Sequence, residues 1–474
     1  METHIITDRR RQNWIIAIVS LTVFMFSVDY SMVNISLPGI SKYFNATLAH
    51  VSMVPLAYLL VVTSTVLLFG KLGDIRGFKK IFISGLIIFV TGTVLCGFAP
   101  SLNVLLALRI FQCLGEAMFS PIGIAIVTVF LPSDVKGRAL GFMATTQGLG
   151  FCVGPILGGF INAHFGWHGI FFVNVPLCIL AIIASWKLIP DRQPLLEDKR
   201  IDYKGAFLIF VCLSTLVFAL NSISTMGLKN PAVLSCFAVS FTSLALFIFQ
   251  ELRSPNPILY LELFLKRDFT AAVLSAFSVI FVYMGLIFLF PFYLTIVRGI
   301  DIVRAGSVLM IPALMVIISA PIAGLLSDKV GCRPVCIFGI TMTTIGFFMF
   351  SMMTVATSIN HVITSLVLAG IAIGCFLPAN NKLVMMLAPE DKQGMASAVY
   401  KILNSTGGVF GIAILPLIIM RKIAAVAAAS GMPMSEAKAH PEIVMSGFDA
   451  AFKFAMFLCV TGFVFTVLAR DKKS

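Results

Sequence analysis

Apolar residues run through this chain in blocks of about 20 residues or more, separated by short polar stretches. A helix rises 1.5 Å per residue, so such a block matches the ~30 Å hydrocarbon thickness of a bilayer. The pattern predicts fourteen membrane-spanning helices: 14–37, 51–70, 81–99, 102–131, 138–162, 170–189, 204–224, 232–250, 269–296, 304–326, 335–355, 362–387, 396–420 and 449–469. Residues before the first block are basic. That block is too long for a signal-peptide core, and no small-residue cleavage site follows it, so it is expected to remain as the first span.

Polar positions inside the blocks carry the candidate chemistry. The fourth block holds Arg109, Gln112 and Glu116. At ~100° per residue, steps of three and seven return these three to nearly one helix face. An ionised group at the bilayer centre costs at least ~2.5–3.5 kcal/mol, so this face is expected to line protein or water. Asp29 in the first block and Arg109 in the fourth both lie ~11–12 Å below the expected outer boundary, a depth that permits them to pair. Glu116 lies deeper and is the expected proton carrier if Arg109 holds Asp29. The competing reading is a helix-packing ion pair. Asn34, Gln112, Gln147, Tyr283, Asn380, Lys401 and Asn404 are the further candidates for a cavity wall. Lys382 and Lys401 lie near cytoplasmic span ends and are expected to snorkel; otherwise they give the C-terminal wall a positive group suited to anions.

Charge sets the expected orientation. The N-terminus, the C-terminus and the loops after even-numbered spans, with adjoining span ends, hold 24 Lys and Arg against eight on the other side. The basic side is expected to be cytoplasmic, with both termini there. The +13 net charge therefore belongs to short loops, and no nucleic-acid partner is expected. With 59% hydrophobic and 12% charged residues and a mean hydropathy of +1.01, the composition is that of a polytopic membrane protein.

A repeat marks two halves. Gly70, Leu72, Asp74 and Gly77 recur as Gly324, Leu326, Asp328 and Gly331, at an offset of 254 that also aligns Tyr283 with Asp29. The expected fold is all-α: two six-helix bundles with two additional central helices. The divisions are 1–189 for the N-terminal bundle, 190–268 for the two additional helices and 269–474 for the C-terminal bundle. Paired repeats are a transporter feature. The Gly70–Asp74–Gly77 hairpin and Asp328 are candidates for a gate. So is the fifth span, where Gly150, Gly154 and Gly158 share one face and Pro155 and Gly159 lie between or beside them. Glu251 to Asp268 reads as an interfacial linker, and 421–446 as a long outer loop with a short surface helix.

Several of these stretches resemble the major facilitator superfamily, in its fourteen-span drug:proton antiporter branch. Gly70 to Lys80 resembles that family's hairpin between helices 2 and 3. Arg109-Ile110-Phe111-Gln112 with Gly115 and Ala117 resembles its helix-4 motif, whose arginine is linked to proton transfer. Gly150 through Gly159 resembles the antiporter motif of helix 5, and Asp29 through Pro38 the helix-1 motif of drug exporters. Trp167 with Phe171 to Pro176 resembles the start of helix 6 in the branch. Departures are Ile75 and Phe78 in place of hairpin bases, Cys113 in place of a helix-4 glycine, the additional Glu116, and the lack of a mid-depth carboxylate in spans 9–14.

The resemblance implies a proton-coupled exporter of small amphiphilic compounds or drugs, by alternating access, in the cytoplasmic (inner) membrane. The alternative is an exporter of a specific metabolite, siderophore or lipid, including anionic cargo. The expected partners are a small-molecule substrate, protons and the lipid bilayer, and the expected working unit is a monomer. No enzyme activity, cofactor or metal is expected. A nucleotide-binding Gly-rich loop is lacking, and the six histidines and ten cysteines show no ligand spacing.

Overall fold

The apolar blocks are helical. The protein is described here by a computed structural model covering residues 6–190, 203–253, 261–388, 393–437 and 440–469. The chain divides into two compact units, Met1–Ala46 with Met53–Phe210, and Thr47–Ser52 with Val211–Ser474. The first contains α1 (Arg9–Tyr43), most of α2 (Leu48–Arg76), α3 (Phe78–Cys96), α4 (Leu102–Phe130), α5 (Ser133–Phe165), α6 (Gly169–Phe172) and α7 (Asn174–Leu188). Helix α8 (Tyr203–Met226) runs across the division. The second contains α9 (Pro231–Arg253), α10 (Arg267–Phe292), α11 (Ile302–Val330), α12 (Cys332–Ser351), α13 (Ile359–Leu387), α14 (Gln393–Ala429), α15 (Met434–Ala437) and α16 (Pro441–Leu468).

Twelve helices among the described residues are long and apolar enough to cross a membrane. The other two expected spans, 51–70 and 204–224, fall on α2 and α8, whose described apolar stretches are the shorter Leu48–Val62 and Phe207–Leu220. This is an all-helical multi-pass membrane protein.

Local chemistry explains several boundaries. Asp8 caps α1 by accepting from Arg10 N at 3.0 Å, and Ser101 caps α4 by accepting from Val104 N at 3.3 Å. Gly77 and Gly331, the last glycines of the repeated hairpin, have φ of 93° and 90°, a region that L side chains avoid. The two copies therefore turn in the same way.

The expected outer loop at 421–446 is largely helix instead. Its alanine-rich run has strong helix propensity, so the 37-residue α14 continues to Ala429. Gly431, at φ 64°, ends it. The sixth span is broken at Val173 into α6 and α7, and the ninth ends in a π turn at Tyr293–Val297. In the expected linker, residues 254–260 lie outside the described residues, and Leu261–Leu265 forms a 3-10 turn.

Glycines set the closest helix pairs. In the first unit, a methyl group at Gly150 would stand 2.7 Å from Ser27 Cβ, and one at Gly158 would stand 2.7 Å from Ile35 Cγ2. Gly154 abuts Ser31. This locks α5 onto α1 along one stripe. In the second unit, Gly407 and Gly411 meet the Phe277 and Phe281 carbonyls and lock α14 onto α10 in the same manner.

Candidate functional site

The first unit buries a guanidinium. Arg109 is 0% exposed and Asp29 1% exposed, and Arg109 Nη1 donates to Asp29 Oδ2 at 2.7 Å. Burial of this kind is tolerable only with a partner charge and matched hydrogen bonds. Gln112 supplies those bonds. Its Oε1 accepts from Arg109 Nη1 at 2.6 Å, and its Nε2 donates to Asp29 Oδ1 at 3.1 Å. The three-residue step along α4 puts arginine and glutamine side by side, as the helical spacing requires.

Aromatic rings close the site. The Arg109 guanidinium carbon lies 5.1 Å from the Tyr58 ring centroid on α2 and 5.9 Å from that of Phe171 on α6. Tyr30 packs against Tyr58 at 5.4 Å and against Phe151 at 6.2 Å. Glu116, 3% exposed, is buried on α4. Arg109 Nε and Nη2 and the Tyr58 hydroxyl make no hydrogen bond to protein, so the site keeps polar capacity for water or a ligand. A buried acid–base–amide cluster with spare donors can store, exchange and relay a proton.

Asp29, Arg109 and Gln112 are thus directly bonded, and Glu116 is buried about one turn beyond Gln112 on α4. Asn34 lies one turn further along α1, buried, with Nδ2 donating to the Tyr30 carbonyl at 2.9 Å. Gln147 is half-buried on α5. Gly150, Gly154 and Gly158 form the α1–α5 seam, and Pro155 and Gly159 beside them are buried as well. Gly70 and Gly77 lie at the α2 end of the hairpin; the Asp74 side chain lies outside the described residues.

The second unit treats its candidates differently. Asn380, 0% exposed, donates from Nδ2 to the Ala272 carbonyl at 3.1 Å and to Ser275 Oγ at 3.2 Å, fastening α13 to α10. Asp328 and Lys382 form an ion pair with both side chains largely in the open. Lys382 thus bonds an acid of the repeated hairpin. Lys401 is exposed and Asn404 half-buried on α14. Tyr283 is half-buried on α10 and does not correspond to Asp29. The glycine seams put the carbonyls of Phe24 and Val28 where the second unit has those of Phe277 and Phe281, an offset of 253. Val282, fully buried, therefore takes the place of Asp29. The hairpin offset of 254 is one residue out for α1 and α10, because loop lengths differ between the repeats.

Thr93, Tyr58 and Phe171 complete the site; Phe171 lies in the stretch that resembles the start of helix 6, while Thr93 and Tyr58 carry no signal in the sequence. Each is a neutral residue in an apolar block, and only packing shows which of many such residues face Arg109 or Gln112. Gln112 Nε2 donates to Thr93 Oγ1 at 2.7 Å.

The comparisons agree with this architecture. A riboflavin transporter, RibZ of Clostridioides difficile, is 30% identical over 98% of this chain and 98% of its own length. A tetracenomycin C resistance and export protein of Streptomyces glaucescens is 26% identical over 85% of this chain and 75% of its own. The methyl viologen resistance protein SmvA of Salmonella typhimurium is 27% identical over 87% and 84%. An inward-facing bacterial homologue of the human lysosomal transporter Spinster shares the fold, with a TM-score of 0.71 over 98% of this chain and 99% of that one, at 17% identity. Residues 19–412 match the Major Facilitator Superfamily model, and the chain belongs to that superfamily of membrane transporters.

Proposed function

We propose that this transporter is a proton-coupled exporter of small amphiphilic compounds, of the drug:proton antiporter kind. The observation that carries the reading is the buried Asp29–Arg109–Gln112 cluster in a membrane protein. A carboxylate so placed can change its proton only when the site opens to water, which ties proton exchange to a change of conformation. Glu116, on the same helix, is the second acid of the relay. Relatives named for drug resistance or export support the cargo class. In this reading fourteen spans form two six-helix bundles (1–189 and 269–474) around two additional helices in 190–268. Both termini face the cytoplasm, and a monomer in the inner membrane is the working unit. The glycine seam of α5 and the Asp74 and Asp328 hairpins act as gates.

A second reading keeps the fold and assigns one specific metabolite. The riboflavin transporter that matches along its whole length favours it, as does the lack of a buried carboxylate on α10–α16 among the described residues. One experiment tests both. Purified protein in liposomes is given a proton gradient, with ethidium and riboflavin as probes. Gradient-driven movement of ethidium supports the broad exporter, and movement of riboflavin alone supports the second reading. Coupling unchanged in an Asp29→Asn, Glu116→Gln double variant would remove the proton assignment.

A further inference from the structure

The amide that steadies the ion pair is itself held from a third helix. Gln112 Nε2 donates both to Asp29 Oδ1 on α1 and to Thr93 Oγ1 on α3. The Thr93 hydroxyl directs its own proton to the Phe89 carbonyl at 2.7 Å. Only its lone pairs then face Gln112, so the group opposite must be a donor. A terminal amide can turn by half a rotation. In the turned state Gln112 Oε1 would face both the Asp29 carboxylate and the Thr93 lone pairs, and Nε2 would face the guanidinium.

Two further observations make Thr93 the fixed point. Thr93 and Gln112 are both 0% exposed, so bulk water cannot take over the bond. Gly92 brings the α3 backbone against α4 so closely that a methyl group there would stand 2.7 Å from Gln112 Cα. That approach is what lets a side chain as short as threonine reach the amide. Cys96, one turn on, touches Gln112 Oε1 at 4.0 Å, too long and too weak a contact to orient it.

We infer that Thr93 is a positioning residue for the proton step. It fixes the rotation of the Gln112 amide so that Asp29 keeps an N–H donor when its bond to Arg109 opens. The inference rests on the proposed role of Asp29 and adds a residue to it. The other titratable or charged groups around the carboxylate are Arg109, Glu116 and Cys113 on α4, Cys96 on α3, Cys178 on α7, Tyr30 beside it and Tyr58 on α2. Of these only Arg109 bonds the amide, from Nη1 to Oε1 at 2.6 Å, and that bond belongs to the guanidinium whose hold on Asp29 must open; Thr93 holds Nε2 from outside the ion pair.

The test needs no cargo. Infrared difference spectra of the purified protein in lipid nanodiscs, taken through a pH titration, follow the protonated-carboxyl band that Asp29→Asn removes. Losing a donor to a carboxylate favours its protonated form. In Thr93→Val the band should therefore grow in at a pH higher by about half a unit to one unit. Thr93→Ser, which keeps the acceptor, should titrate as the unaltered protein does. If Thr93→Val does not reach the membrane, Thr93→Cys, a weak acceptor of similar size, serves in its place. Equal midpoints in all variants overturn the inference, as does a spectrum in which Asp29→Asn removes no band. Proton-driven transport that survives the Asp29→Asn, Glu116→Gln double variant would instead remove the proposed function, while the infrared midpoints still decide the role of Thr93.

Discussion

The two units build the same helix crossings and fill them with opposite chemistry. In the first, Gly85 faces the Gly115 carbonyl and Gly92 faces Gln112; in the second, Gly339 faces the Ala372 carbonyl and Gly346 faces Ala369. This packing register matches Asp29, Thr93, Arg109, Gln112 and Glu116 to Val282, Phe347, Leu366, Ala369 and Ile373. All ten are buried, the first five polar and the second five apolar. The scaffold thus tolerates either filling, and a polar core at this crossing is not needed to hold the helices together. Hydrophobic replacement of buried ion pairs is often neutral or stabilising, whereas removing one partner costs ~3–5 kcal/mol. The polar set in the first unit is best explained by what it does.

That comparison can be broken most sharply by giving the first unit the residues of the second. Arg109→Leu alone strands Asp29 and should lower stability by ~3–5 kcal/mol, read as loss of folded protein on heating in detergent. Adding Asp29→Val should return the melting behaviour to near the starting protein while gradient-driven transport stays absent. If the double variant is as unstable as the single, the pair is structural and the functional explanation fails.

Next in size are the seams. Gly154→Val pushes α5 against Ser31 and Gly411→Val pushes α14 against the Phe281 carbonyl, each an overpacking expected to cost ~1–3 kcal/mol. Similar losses in both would confirm that the seams are equivalent; a transport defect beyond the stability loss is expected only for Gly154→Val. Asn380→Ala removes the two bonds that fasten α13 to α10 and should cost ~1 kcal/mol in thermal stability, with pH-driven transport unchanged.

The smallest effect lies outside the spans. His168 stacks on Trp167 with ring centroids 3.8 Å apart, and burial holds its pKa below 6.5. Above about pH 6.5 it is neutral folded or unfolded. As the pH falls below that, the unfolded chain takes up the proton first, so the folded protein loses stability. His168→Gln should flatten the fall in melting temperature between about pH 7 and pH 5.5.

Twelve of the expected spans were legible because a bilayer demands long apolar helices and little else satisfies that demand. The ion pair was legible because charges inside apolar blocks are rare and their depths could be compared. Thr93 and Tyr58 were not, since a neutral side chain costs little anywhere in a helix. The register of Tyr283 was misjudged because a motif in one hairpin fixes an offset only for the helices beside it. Loops between repeats absorb insertions, so α1 and α10 align at 253 and α4 and α13 at 257. The helix beyond residue 420 reads as a separate short one, although it continues α14, because polar residues at Arg421 and Lys422 mark where a helix leaves lipid, not where it stops.

That last helix has a practical use. At 1.5 Å per residue, the 37 residues of α14 measure about 55 Å, against ~30 Å of hydrocarbon. Even a steep tilt leaves part of the helix outside the hydrocarbon. An epitope or a small rigid protein grafted at its tip, after Ala429, would be held at a fixed angle to the bundle that bears it. Such a handle would give single-particle images an alignment mark in each conformation.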